Sequence, residues 1–221
     1  MADLLYKWPV AAKFGSRVPK EKFYEHSDVS TVVREKFVSN VQRITWAFKL
    51  AESTINLPGS TSVPEIQVFN IDTKVGDVPD QVLSAIDRAI QYPVIFEITR
   101  GTAGEAQVRM VAAHKQLSSG TPRLSPYYST GWLPADTERL PLPISIGLPT
   151  LYAALVEPLT PVRIRPGEQM SEVADRLANV RKLEREIAVL ERRLRTEPQL
   201  NRRIDLLRAL KSRQQELEQQ R

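Results

Sequence analysis

Three residues in the chain have types that could do chemistry together. Asp72-Thr73-Lys74 closes one apolar, strand-like run, Glu97-Ile98-Thr99 lies in the next, and Lys115 falls on a third. Two carboxylates and a lysine meeting at strand ends can hold Mg²⁺ and activate water for phosphodiester cleavage. Metal nucleases of this kind place the second acid and the lysine two residues apart on one strand. Here Thr99 stands where the lysine would follow Glu97, and Asp72-x-Lys74 has only Glu65 as a preceding acid. The pattern therefore favours a plainer assignment: Glu97 as a buried or sheet-edge acid paired with Lys115 or Arg100, with no catalytic residue, metal or cofactor.

Composition narrows the alternatives. The chain has no Cys and only His26 and His114, which removes thiol nucleophiles and thiolate metal sites and leaves little room for a histidine-based triad. His114 falls on an expected strand and is read as a structural histidine. Gly101-Thr102-Ala103-Gly104 lacks the Lys-Ser/Thr of a phosphate loop and precedes a strand rather than a helix. Asp3, Pro9 and Lys13 interrupt any export-like amino terminus, and the longest apolar run, 142–156, is broken by Pro143 and Pro149. A protein of the cytoplasm is the expectation, with no membrane contact.

The elements that must position these residues centre on 63–98. Two Val/Ile/Phe-rich runs flank a helical pattern at 78–90, a β-α-β signal. In the first run Ile66, Val68 and Asn70 alternate with Gln67, Phe69 and Ile71; two apolar faces predict a central strand. Upstream, Val33, Phe37, Val41, Ile44 and Phe48 recur at helical spacing and predict one helix over 28–50, capped by Ser27 or Asp28. Residues 10–26 read as an irregular arm and 54–57 as a short strand. A strand at 94–99 and its antiparallel return at 106–117 complete an α+β core, a mixed sheet with covering helices, over 1–121. The segment 122–170 is proline-rich yet apolar, and is expected to wrap that core with one short helix near 150–156.

The remainder, 171–221, is a second signal. Val173, Leu177, Val180, Leu183, Ile187, Leu190 and Leu194 recur every three or four residues, and Leu200, Ile204, Leu207, Leu210, Gln214 and Leu217 resume after Pro198. With Thr196 as a cap and Pro198 in a first turn, this predicts a coiled-coil-like antiparallel helical hairpin. Leucines on an isolated helix must be covered, so Leu183, Ile187, Leu190, Leu194, Leu200, Ile204 and Leu207 are the candidate partner-binding residues, and self-association is one way to cover them. This stretch has 13 Lys and Arg against 9 Asp and Glu, most of the +5 net charge of the 221-residue chain. Arg34, Lys36, Arg43, Arg192, Arg193, Arg202 and Arg203 are the candidate nucleic-acid contacts, although the surplus is far below that of a dedicated DNA binder.

The runs Phe23-Tyr24-Glu25, Ile44 to Leu50, Thr54 to Leu57, Glu65 to Phe69 and Ile95 to Ile98 resemble a bacterial family of unknown function numbered 4391. Glu197 to Ile204 is similar to that family's closing helix, from which Pro198 departs. No established catalytic residues carry over from the resemblance. It implies a context, because genes of the family commonly lie beside DNA methyltransferases and helicase-type ATPases in restriction-like, phage-defence clusters. The expected role is that of a non-catalytic assembly subunit, with a nuclease subunit or a nucleic-acid-binding module as alternatives.

Overall fold

A computed structural model describes residues 3–25, 29–102, 104–116, 122–160, 165 and 170–220. Two compact units divide the chain at Thr160 and Pro161. The first carries β1 (Lys13–Arg17), α1 (Glu21–Glu25), α2 (Thr31–Asn40), β2 (Val41–Leu50), α3 (Glu52–Ile55), β3 (Ile66–Thr73), α4 (Asp80–Ala89), β4 (Val94–Arg100) and β5 (Gln107–Ala112). The short β6 (Lys115–Gln116), β7 (Arg123–Leu124), β8 (Tyr128–Ser129) and β9 (Leu133–Pro134) precede α5 (Leu148–Val156). The second unit carries α6 (Met170–Thr196) and α7 (Leu200–Gln220).

The main sheet runs β1-β2-β3-β4-β5-β8, with β9 also paired to β5. Only β3 and β4 are parallel, as the crossover through α4 requires. Both faces of the sheet are buried. Phe69, Ile71, Phe96, Ile98 and Val111 form one core with Phe37 of α2 and Val82, Leu83 and Ile86 of α4. By strand alternation Ile66, Val68, Ile95, Met110 and Ala112 fill the other face, where each is fully buried. The expected central strand, the α4 helix and the α+β class are all present.

The expected single helix over 28–50 is instead α2 followed directly by β2. Val41, Ile44, Ala47 and Leu50 are buried at spacings of three, which imitates a helical stripe. The cause is two irregularities in the pairing of β2 with β3, at Val41/Arg43 and Trp46/Phe48; each bulge adds a residue and converts a period of two into an apparent period of three. Ser30 caps α2, whereas Ser27 and Asp28 lie outside the described residues. Lys20 Nζ donates to the carbonyls of Phe37 and Val41, and Lys74 Nζ to that of Val38, so two lysines stand at the negative end of the α2 dipole. Residues 52–55 form α3, closed by Asn56 in the left-handed conformation at φ 55°, not the short strand expected at 54–57. The arm contains the edge strand β1, and the proline-rich segment supplies β7, β8, β9 and α5.

In the second unit α6 and α7 pack together as antiparallel arms. Glu197 Oε1 accepts from Gln199 N at 3.0 Å in the turn between them. Thr196 ends α6, its hydroxyl bonding back to the Arg193 carbonyl at 3.2 Å, and does not cap α7. Arg165 and Arg176 donate to the last carbonyls of α7, Gln219 and Gln220, at 2.6 and 2.9 Å, the pairing a helix C-terminus favours. Among the described residues, no helix is long and apolar enough to cross a membrane.

Candidate functional site

Asp72 and Glu97 lie on adjacent parallel strands. The register sets Asn70 beside Glu97 and Asp72 beside Thr99, so the two acids share a face two residues out of step. Each is already occupied. Asp72 Oδ2 takes both Nε and Nη2 of Arg43 at 2.7 Å. Glu97, 3% exposed, takes a two-pronged pair from Arg139, at 2.7 and 3.0 Å, and the indole N–H of Trp8 at 2.7 Å. Its partners are thus Arg139 and Trp8, in place of the expected Lys115 or Arg100; Arg100 instead holds Gln107 and stacks on Trp132. Bidentate guanidinium pairing of a desolvated carboxylate is the strong form of this interaction. Here it ties the amino-terminal arm and residue 139 to the middle of the sheet.

Lys115 is at the other end of β4 and on the opposite face. Its Nζ donates to the carbonyls of Asp87, Ile90 and Tyr92 at 2.6, 2.8 and 2.7 Å and meets Asp87 Oδ1 at 2.5 Å, both side chains being fully buried. Four oxygens around Nζ suit the ammonium, which offers three N–H donors and a charge opposite to that of Asp87. Standing where α4 ends, it neutralises the dipole and takes up unpaired carbonyls. Burial pushes the Asp87 carboxyl up from its ordinary range and the Lys115 ammonium down, each opposed by the other's charge. Tyr127 donates to Asp87 Oδ2 at 3.0 Å and Tyr152 to the Ala113 carbonyl at 2.6 Å. Burial, then the charge of Asp87, raises both phenols well above the usual tyrosine range. The three nuclease candidates are therefore not brought together. Among the described residues no group of three or more His, Asp or Glu is placed to hold a metal ion.

Trp8, Arg139, Asp87, Tyr127 and Tyr152 escaped the sequence reading. Asp87 left a signal, an acid one position after Ile86 on the apolar stripe of α4. Trp8 and Arg139 left none, since each reaches Glu97 across many residues of chain.

The hairpin distributes its leucines unevenly. On α6, Leu183 is buried and Ile187, Leu190 and Leu194 are half-buried; on α7 the matching residues are Leu206, Leu210, Arg213 and Leu217. Arg213 crosses to Glu186 at 3.0 Å. Leu200, Ile204 and Leu207 lie on a different side of α7 and stay 72%, 39% and 50% exposed. Of the basic candidates, Arg34 stacks over Tyr24, Lys36 bonds Gln81 and Arg43 holds Asp72, while Arg192, Arg193, Arg202 and Arg203 are exposed on the hairpin.

A family model described as a domain of unknown function, DUF4391, matches residues 7–217. The chain belongs to this family. The match spans both the sheet unit and the hairpin, so the two together are what the family comprises. Comparison with curated proteins and with solved structures finds no match.

Proposed function

We propose that this member of the DUF4391 family is a non-catalytic assembly subunit of a bacterial defence or restriction-like complex containing a DNA methyltransferase, a helicase-type ATPase, or both, and that the hairpin is its docking element. The observation that carries this reading is the stripe of Leu200, Ile204 and Leu207, three large aliphatic side chains at helical spacing that the α6 seam leaves uncovered. Contiguous exposed apolar surface on a helix is the usual mark of a surface covered in an assembly. Ile144 and Ile146, almost fully exposed and two residues apart, add a second such patch on the sheet unit. The nuclease reading has less support, because Asp72 and Glu97 are each neutralised by an arginine and Lys115 lies across the sheet.

The test is co-expression with any DNA methyltransferase or helicase-type ATPase that the gene's neighbourhood encodes. Wild-type protein is expected to co-purify with at least one of them. Ile204→Asp with Leu207→Asp is expected to abolish that association while circular dichroism and the melting temperature stay unchanged. Undiminished association of a folded double variant would overturn the proposal.

A further inference from the structure

We infer that the α7 stripe takes an amphipathic helix whose apolar face is flanked by acidic residues, rather than a second copy of the hairpin or a nucleic acid. The inference rests on the docking role proposed above and specifies the partner's chemistry. At about 100° per residue, Arg203 and Arg208 lie about 70° to either side of the line through Leu200, Ile204 and Leu207, and Lys211 continues that line one turn on. The stripe is thus bordered by cations on both flanks and at its carboxyl end. Arg203 is exposed, and Arg208, with a 79% exposed side chain, makes a long 3.8 Å contact to Asp205.

Charge complementarity decides between occupants. Residues 191–211, the tip of the hairpin, hold seven Lys and Arg against three Asp and Glu. Two such tips laid stripe to stripe would bring Arg203 and Arg208 of one against the same residues of the other, which opposes self-association. A nucleic acid would answer the charge, yet it has nothing to offer three aliphatic side chains in a row. A helix with aliphatic residues at matching spacing and Glu or Asp beside them answers both features.

The experiment uses the full-length protein and two fluorescent synthetic helical peptides with identical leucine spacing, one flanked by glutamates and one by lysines. The glutamate peptide is expected to bind at least about tenfold more tightly than the lysine peptide, and Arg203→Glu with Arg208→Glu is expected to reverse that order. Ile204→Asp is expected to abolish binding of both. Equal binding of the two peptides, or an order unchanged by the charge reversal, would overturn the inference. So would a dimer by light scattering that Ile204→Asp dissolves, or duplex DNA binding that Ile204→Asp leaves intact and the charge reversal removes. Co-purification separates this inference from the docking role. If Ile204→Asp loses the complex and the charge reversal keeps it, docking stands and the acidic partner falls; if both keep it, both fall.

Discussion

The Lys115 ammonium among four oxygens, the Glu97 carboxylate clamped by Arg139, and Asp72 near the end of β3 with Arg43 are three ion pairs of graded burial, and burial sets what each is worth. Removing one partner of a fully buried pair strands a desolvated charge at a cost of about 3–5 kcal/mol. Lys115→Met is expected to approach that loss, because three carbonyls and Asp87 lose their donor together. Glu97→Gln keeps some hydrogen bonding, and Arg139 can reach water, so about 1–3 kcal/mol is expected. Asp72→Ala, at a pair open to solvent, should cost under about 1 kcal/mol. Urea titration gives the ranking directly, and an Asp72 variant as unstable as the Lys115 variant would refute it. Tyr127 and Tyr152 make stability depend on pH in the alkaline range. Their folded-state pKa values are raised above the ordinary 10.0, so the stability they contribute is whole below pH 10 and falls as pH rises beyond it, where the unfolded chain releases the protons first. The melting temperature is expected to drop above about pH 10, and less steeply in Tyr127→Phe. Tyrosinate absorbance from these two phenols should appear only with unfolding.

Helices α6 and α7 show that a leucine repeat read from sequence mixes two surfaces. Leu183, Ile187, Leu190 and Leu194 were legible as one stripe and serve the seam, while Leu200, Ile204 and Leu207, read as its continuation, sit beside the true α7 seam of Leu206, Leu210, Arg213 and Leu217. The difference is about 100°, one residue, and an arginine occupying a seam position hides it. The same limit explains β2, where bulges gave a strand the spacing of a helix, and contrasts with β3, α4 and β4, whose regular periods made them readable. The buried polar contacts were unreadable for a further reason: Trp8 to Glu97 and Tyr127 to Asp87 are hydrogen bonds made by the fold, with no local spacing to announce them. The two leucine surfaces predict different failures. Leu190→Asp places a carboxylate in the half-buried seam and is expected to cost about 1–3 kcal/mol, lowering helix content and melting temperature. Leu207→Asp is expected to stay within about 0.5 kcal/mol of wild type and to fail only in the proposed docking. Circular dichroism of the two variants separates them, and equal loss of structure would mean that α7 is covered within the folded chain.

Across the sheet unit, the three nuclease candidates are each spent on holding elements together. Glu97 joins the amino-terminal arm and Arg139 to the sheet, Lys115 closes α4, and Asp72 joins β3 to β2. A two-metal or one-metal phosphodiesterase needs carboxylates free to converge on the ion within a few ångströms. Asp72 and Glu97 share a face, so their backbones would permit convergence, yet Arg43 and Arg139 already supply the positive charge a cation would bring. Lys115, on the opposite face and at the opposite end of β4, has no route to that spot. The purified protein with Mg²⁺ or Mn²⁺ is accordingly expected to leave supercoiled plasmid uncut. Under the proposed defence role, Asp72→Ala is expected to act like wild type in a protection assay, while Glu97→Gln and Lys115→Met lose protection only as far as their melting temperatures fall. Metal-dependent nicking that disappears in a Glu97→Gln variant of unchanged melting temperature would show instead that the arginine pair opens to admit a metal, and that the sheet carries the activity.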